Sequence, residues 1–234
     1  MPVCQSTNDV LLALVNEKNG EIPDFFVVST DFQEAGRGQK QNKWESESGK
    51  NLMFSLFLKP TFLEAKSAFW LSASIAIGLA NALEHFLPEV KVKWPNDIYV
   101  NGLKIAGILI ENTISGLNIS ESVIGIGLNV NQTNLVSTAS SLAKERFQEF
   151  DREEILLLVL QEIMLVYFRL KAEGWSKIRS LYYSKLYKMA IPHDYQLPYG
   201  SAFRAVLKGI SDEGKLILIT AKGVKQFDFK EVGF

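Results

Sequence analysis

The residues with the clearest chemical potential lie in one run, KVKWPNDIYVNGLKIAGILIE, at positions 91–111. Asp97 and Lys104 flank Asn101-Gly102, a dipeptide typical of a two-residue hairpin turn between alternating apolar residues. In a regular hairpin Asp97 pairs with Ala106, which places Asp97 and Lys104 on one face as diagonal neighbours. A carboxylate can hold a hydrated Mg²⁺ ion and an ammonium can neutralise phosphate, so the pair suits nucleotidyl transfer. A solvent-exposed ion pair is the alternative interpretation.

A Gly-rich loop, QEAGRGQKQNKWESESGKN at positions 33–51, offers further candidates. Its glycines would let the backbone approach a ligand, and its cations, Arg37 and Lys40 among them, suit phosphate. The loop is neither a Walker phosphate loop nor a Rossmann fingerprint, because both spacings are absent. Trp44 is an indole in a polar loop, where it could cover a base or a core edge. A mobile surface connection is the alternative interpretation of this segment.

Two shorter segments could also contact a ligand. In SVIGIGLNV the residues Gly125, Gly127 and Asn129 alternate on one strand face, which leaves room for a flat ligand or for a tightly packed helix. The triplet Ser6-Thr7-Asn8 can cap a helix, and a helix N-terminus also presents free N–H groups to an oxygen-rich ligand. The two histidines stand in no metal-binding spacing and beside no nucleophile, which disfavours a Ser-His-Asp hydrolase.

The composition narrows the class of protein. With 234 residues and 47% hydrophobic content, the chain can build a proper core. A net charge of -1 argues against a protein that holds DNA by bulk electrostatics. The single cysteine, Cys4, excludes an intrachain disulfide and a cysteine-cluster metal site, and it favours the reducing cytoplasm. We expect no signal peptide and no membrane-spanning segment.

The pattern of elements predicts an α+β fold in two domains, residues 1–190 and 191–234. Helices are predicted to begin near Ser6, after Asp151 and after Gly174, and a fourth to span residues 63–86. Strands are predicted at 25–30, 51–59 and 122–130 and in the hairpin. Hairpin-paired strands mixed with helices favour a mixed sheet with packed helices over a doubly wound parallel fold. The apolar side of the helix after Asp151 is assigned to the core. From Pro192 onward, short strands and turns predict a small β-barrel-like module.

The order of these segments resembles the biotin protein ligase family closely. The carriers of the resemblance are, in chain order, Ser6-Thr7-Asn8, GRGQKQNKW (36–44), KWPND (93–97), KIAGILIE (104–111) and GIGLNVN (125–131). In the tail, GISDEGKL and FKEV look like that family's C-terminal module. The resemblance covers the chain from about Ser6 onward. It implies a catalytic domain like that of class II synthetases, followed by an SH3-like β-barrel.

The resemblance also implies a two-step reaction. Biotin and ATP-Mg²⁺ would form biotinyl-5′-AMP, and a lysine of a biotin carboxyl carrier protein or domain would then accept the biotinyl group. Lys104 and Arg37 would stabilise the negative charge where the biotin carboxylate meets the α-phosphate. Asp97 would organise Mg²⁺ or position Lys104.

By the same resemblance, three groups of residues would contact biotin or the adenylate. The ureido end of biotin would be lined by Ser6, Thr7, Gln33 and Gly36. Room for the ligand would come from Gly107 and Gly127, and the adenylate would lie near Trp44, Asn96 and Asn129. The full predicted binding set is Ser6, Thr7, Asn8, Gln33, Gly36, Arg37, Gly38, Gln39, Lys40, Trp44, Asn96, Lys104, Gly107, Gly127 and Asn129.

The chain departs from the family pattern at Gln39, where many members carry a second arginine, and at Gln41, where many carry glycine. A missing cation over the adenylate phosphate should weaken its retention by about 1–3 kcal/mol if neither Lys40 nor Lys43 compensates. A Gln39→Arg variant is therefore expected to release biotinyl-5′-AMP more slowly than the wild type. Trapping the released intermediate over time would measure this, and equal release rates would contradict it.

Other functions remain open from the residues. A lipoate ligase or octanoyltransferase shares the expected fold, although KWPND and GRG…W favour biotin. A non-catalytic biotin- or nucleotide-binding regulator is disfavoured by the presence of Lys104 and Asp97, and the tail alone could be a carrier-binding module. The chain begins at the Ser6 triplet, so we expect no DNA-binding domain. A homodimer is possible because exposed sheet edges often pair in this family. The acceptor and the order of substrate binding stay open.

Overall fold

The computed structural model describes residues 1–18, 21–38 and 43–234. The predicted ligand contacts of Gln39 and Lys40, and the departure at Gln41, lie outside these ranges. The helices in the described part are α1 (Thr7–Glu17), α2 (Ala68–Glu84), α3 (Leu142–Arg146), α4 (Arg152–Glu173) and α5 (Trp175–Lys185), with a 3₁₀ turn at Ala65–Ser67 before α2. Within the described residues, no helix has both the length and the apolar character needed to cross a bilayer.

In the part of the chain that the structure describes, six strands form the large sheet. In spatial order they are β2 (Val27–Thr30), β4 (Leu52–Leu58), β8 (Asn118–Leu128), β7 (Leu103–Ser115), β6 (Asp97–Val100) and β5 (Lys91–Lys93). Every neighbouring pair in this sheet is antiparallel. Parallel pairing occurs between the two short strands β1 (Val3–Cys4) and β3 (Phe32–Gln33). The predicted α+β class, with helices packed on a sheet, is confirmed, but the large sheet is antiparallel rather than mixed.

The two faces of the large sheet have different roles, because alternate side chains on a strand point to opposite faces. On one face, which we call the core face, residues such as Phe54, Ile98 and Ile126 join α2 in the main hydrophobic core. On the other, α1 packs Leu11 and Val15 against the sheet in a second, smaller cluster. The rest of this second face is open and polar; we call it the site face.

The Asn101-Gly102 hairpin forms as predicted, but its register differs from the regular one. Asn101 and Gly102 both have positive φ, 50° and 79°, as a type I′ turn requires. Tyr99 pairs with Lys104 as expected, but Asp97 pairs with Gly107 and not with Ala106, because a β-bulge intervenes. Ala106 is therefore fully buried in the core, and the predicted placement of Ala106 beside Asp97 is wrong.

The tail folds into a second antiparallel sheet, in which β9 (Pro192–Gln196), β10 (Ala202–Ile210), β11 (Leu216–Thr220) and β12 (Gly223–Phe227) lie in the order β12-β11-β10-β9. Gln196 of β9 and Gly233 exchange two backbone hydrogen bonds, so the segment after β12 returns to the opposite edge. This closure agrees with the predicted SH3-like module.

The second sheet is fixed to the helices by side chains that bond its backbone. The Trp70 indole N–H donates to the Asp212 carbonyl, and the Trp94 indole N–H donates to the Gly214 carbonyl, both at 2.9 Å. The Tyr183 hydroxyl donates to the Ile210 carbonyl and accepts from the Ile210 N–H. These bonds hold the β10–β11 turn against α2, α5 and the loop before β6.

Candidate active site

A cavity of about 540 Å³ opens on the site face of the large sheet, where α1, the Gly-rich loop and the second sheet meet. Five basic side chains and one acidic side chain line it within the described part of the chain: Arg37, Lys43, Lys93, Lys104 and Lys230, with Asp97. A concave site with this excess of positive charge favours an anionic ligand such as a nucleotide phosphate.

One end of the cavity is a buried polar network at the start of α1. Ser6 precedes the helix but makes no capping bond; the Gln33 side chain accepts from the Thr7 N–H at 2.8 Å and caps the helix from outside. The Ser55 hydroxyl of β4 lies 2.7 Å from the Thr7 hydroxyl and donates its proton to the Asn8 amide oxygen at 2.6 Å. Fixed donors and acceptors of this kind suit a small polar head group in an otherwise apolar pocket.

Arg37 lies at the edge of this network and is already paired. Its guanidinium is 2.6 Å from Asp9 and 3.2 Å from Glu111, and Glu111 also accepts from the Asn8 amide at 2.7 Å. The Arg37 side chain is 42% exposed, so it can exchange partners at modest cost. An entering phosphate would have to compete with these two carboxylates for Arg37.

The other end of the cavity holds Lys104 and Asp97. The Lys104 ammonium lies 2.6 Å from the Asp97 carboxylate, and both side chains are partly buried. The Lys104 backbone is fixed by two bonds to one neighbouring segment, because its N–H donates to the Thr138 carbonyl and its carbonyl accepts from the Ser140 N–H. The amide of Asn129 donates in turn to the Ser140 carbonyl at 3.0 Å. Lys104 is thus presented to the cavity by a rigid support.

Aromatic rings form part of the wall. The Trp44 indole lies directly over Gly127, where any side chain would overlap the ring, and Lys104 stands 5.9 Å from the ring centroid. The Trp44 N–H is buried without a hydrogen-bond partner in the described residues. On β5, burial lowers the pKa of the Lys93 ammonium, which donates to the Tyr99 hydroxyl at 3.2 Å.

The metal role predicted for Asp97 depends on what else could hold Mg²⁺. No group of three or more His, Cys, Asp or Glu side chains that could bind a metal occurs at positions 1–18, 21–38 and 43–234. In nucleotide sites Mg²⁺ is held by one or two carboxylates together with phosphate oxygens. A nucleotide-carried ion fits Asp97, whereas an ion held by protein alone does not. The contact with Lys104 favours the other predicted role, in which Asp97 positions Lys104.

Most of the predicted site residues lie together. The described members that line the cavity are Ser6, Thr7, Asn8, Gln33, Arg37, Gly38, Trp44, Asn96, Asp97, Lys104, Gly107 and Gly127. Gly36 instead lines a neighbouring cavity and lies against the Trp44 carbonyl. Asn129 is buried behind Lys104, where it supports the loop at Ser140 and does not line the cavity.

The glycines leave room for side chains of the site itself. A methyl group on Gly125 would come within 2.5 Å of the Asn8 amide oxygen, so this glycine admits α1, as the helix-packing interpretation predicts. Gly127 admits Trp44 from the Gly-rich loop. Gly107 lies beneath the Lys104 ammonium, at 3.2 Å from where a methyl group would stand.

Sequence reasoning missed several lining residues and their partners. Glu111 could have been found, because it alternates with Gly107 and Leu109 on the site face of β7. Ser55 gives no local signal, since it is a single hydroxyl in a hydrophobic strand. The tail of the chain contributes Gln196–Pro198, Phe229, Lys230 and Val232–Phe234, and these contributions depend on how the two sheets meet.

Comparison with known proteins supports this geometry. A sequence profile of the biotin/lipoate A/B protein ligase family matches residues 1–129, more than half of the chain. The chain belongs to this family. Among solved structures, this family member is similar to the biotin protein ligase from Aquifex aeolicus in complex with biotin and ATP. The TM-score is 0.81 and the identity 26%, and the match covers 100% of this chain and 96% of the Aquifex chain.

Curated relatives agree with the family. The bifunctional ligase/repressor BirA of Bacillus spizizenii is 31% identical over 89% of this chain, and the chain spans 66% of that relative's length. The biotin–[acetyl-CoA-carboxylase] ligase of Paracoccus denitrificans is 29% identical over 86% of this chain and 87% of its own length. The chain therefore spans just under two thirds of the Bacillus relative and most of the Paracoccus one.

Proposed function

We propose that this member of the family is an ATP-dependent biotin–protein ligase. One observation carries the proposal: a single cavity joins the Ser6–Asn8 and Gln33 network, which suits the biotin head group, to Lys104, which suits a phosphate. The similarity to the Aquifex aeolicus ligase and to the Paracoccus denitrificans ligase supports the same substrates. The protein would act in the cytoplasm.

In the first step, an oxygen of the biotin carboxylate attacks the α-phosphorus of ATP. A carbon–oxygen–phosphorus mixed anhydride forms, and the bond from the α-phosphorus to the bridging oxygen breaks, so that pyrophosphate leaves. Lys104, positioned by Asp97, offsets the charge that builds between two anions, and Arg37 adds a second cation after leaving Asp9 and Glu111. Mg²⁺ bound to the ATP phosphates would shield their charge, with Asp97 as its protein ligand.

In the second step, the amine of a lysine on a biotin carboxyl carrier domain attacks the acyl carbon of the anhydride. An amide bond forms, AMP leaves with the electron pair of the broken carbon–oxygen bond, and the amine loses a proton. The cavity wall formed by Trp44 and the second sheet would shield the anhydride from water before the carrier arrives. We further propose that the domain boundary lies at 190/191, just before β9.

The decisive experiment is incubation with biotin, ATP-Mg²⁺ and a biotin carboxyl carrier domain, followed by the acceptor's mass. We expect the acceptor to gain one biotinyl group on its lysine, with release of AMP and pyrophosphate. Parallel reactions with lipoate and octanoate test the other branch of the family, which the sequence profile also includes. Transfer of a lipoyl or octanoyl group in preference to biotin would refute the proposed substrate, and no pyrophosphate exchange with any of the three acids would refute the enzyme class.

A further inference from the structure

Helix α4 has two apolar faces, and the described residues cover only one of them. The inner face, with Ile155, Val159 and Ile163 at its centre, is buried against α2 and belongs to the core, as predicted. The approach is close, since a methyl group on Gly78 of α2 would lie 2.6 Å from the Ile163 Cα. The outer face carries four large exposed side chains: Leu157 (68% exposed), Leu165 (57%), Phe168 (48%) and Met164 (38%).

These side chains follow a regular spacing. Glu154, Leu157, Gln161, Met164, Phe168 and Lys171 succeed one another at alternate intervals of three and four residues. This is the heptad spacing of the seam at which two helices pack side by side. We call these six residues the α4 seam. Burial of the inner face is enough to hold a helix on a globular domain, so a second apolar row on the outer face is not needed for folding.

The α4 seam is also complementary to itself when a second copy runs antiparallel. A twofold axis placed between Glu162 and Ile163 would relate the two helices. Each seam residue of one copy then faces the residue of the second copy that lies the same number of positions on the other side of this midpoint. Leu157 then faces Phe168 of the second copy, and Gln161 faces Met164. The two Gln161 residues are offset by only about 4.5 Å along the direction of the helix axes, so their side chains can reach each other to form a hydrogen bond.

The charges at the two ends of the seam fit this arrangement. Glu154 near the start of α4 faces Lys171 near its end, so each dimer gains two opposite-charge pairs. Both side chains are exposed, and neither takes part in an ion pair with another described residue of its own chain. A parallel pairing would instead set glutamate against glutamate and lysine against lysine. The charge pattern therefore selects the antiparallel orientation.

We propose that α4 is a self-association surface, at which two copies of this chain pair through antiparallel α4 seams. Phe168 extends the contact area, because its ring touches Phe25 at 5.7 Å between centroids, and the neighbouring Phe26 is 38% exposed. The helix is about 33 Å long at 1.5 Å per residue, and one helix pair makes a small interface. Association is therefore weak, with a Kd on the order of 100 μM.

This surface is separate from the cavity. Helix α4 packs on α2, and α2 packs on the core face of the large sheet, whereas the cavity opens on the site face. Pairing through α4 therefore leaves the mouth of the cavity open. Variants of the α4 seam should therefore change assembly without changing the rate of the reaction proposed above.

Sedimentation velocity over a concentration series centred on the expected Kd tests the proposal. The wild type is expected to shift from monomer to dimer, and Leu157→Glu, which places four carboxylates in the seam of the pair, is expected to stay monomeric. Glu154→Lys and Lys171→Glu each set like charges opposite each other and should raise the Kd about tenfold at low salt. The double variant Glu154→Lys with Lys171→Glu restores opposite charges and should return the Kd to the wild-type value.

Glu17→Lys, at the exposed end of α1, is the matched control for the change in net charge and should leave the Kd unaltered. Circular dichroism checks that every variant is folded. A wild type that remains monomeric throughout, a dimer that Leu157→Glu does not affect, or a double variant as weak as the single ones would overturn the proposal. The last outcome would mean that α4 binds a different partner or a different surface.

Discussion

Replacing Lys104 with methionine is expected to slow biotinyl-5′-AMP formation about 100- to 1000-fold, because the ammonium is the cation best placed for the developing charge. Methionine keeps the unbranched aliphatic stem and removes only the charge. The Lys104 side chain is 34% exposed and its partner Asp97 is 26% exposed, so the loss of their ion pair should lower the free energy of unfolding by about 1 kcal/mol or less.

ATP–pyrophosphate exchange in the presence of biotin measures the effect on the first step, and thermal unfolding measures the effect on stability. Lys91→Met is the matched control, because Lys91 belongs to the same sheet but does not line the cavity. The control should retain exchange near the wild-type rate. Exchange by Lys104→Met at that same rate would contradict the role given to Lys104, and with it the mechanism.

The second large effect is expected from two glycines of one strand. In Gly127→Ala the added methyl group overlaps the Trp44 ring, so the indole must leave its place in the wall. We expect the KM for ATP to rise about tenfold or more, as the loss of a stacking surface implies. In Gly125→Ala the methyl group meets the Asn8 amide, which accepts from Ser55, and we expect a comparable rise in the KM for biotin.

The two variants control for each other, since both add one methyl group to the site face of β8. Each KM is measured by pyrophosphate exchange with the other substrate saturating, and thermal unfolding checks the fold. The expected result is a crossed pattern, in which each variant impairs one substrate more than the other. Equal losses for both substrates in both variants would argue against separate biotin and nucleotide ends of the cavity.

Local patterns were sufficient to predict the elements and part of the site. The Asn101-Gly102 turn predicted the pairing of Tyr99 with Lys104, and the alternating glycines of β8 predicted a face without side chains. A prediction that assumes regular strand pairing misses the bulge. The sequence does contain a signal, because two consecutive apolar residues, Ile105 and Ala106, stand between Lys104 and Gly107, where strict alternation allows only one inward-facing residue.

The remaining features depend on contacts between distant parts of the chain. Arg37 binds Asp9 and Glu111, which lie 28 and 74 residues away, and only folding brings the three together. Asn129, predicted to lie near the adenylate, instead donates to the Ser140 carbonyl and supports the loop that covers it. No periodicity in the sequence indicates that residues 229–234 return to the cavity.

The bulge at Ile105 has a consequence for how this hairpin can change length during evolution. Ile105 and Ala106 both lie in the core, between Lys104 and Gly107 on the site face. If one of these two residues were deleted, the side chains before and after the deletion would keep their present faces of the sheet. A deletion of one residue between Gly107 and the end of β7 would instead exchange the inward and outward sides of all that follows in the strand. Related chains one residue shorter at the bulge should thus be tolerated, whereas single-residue length changes farther along should be rare.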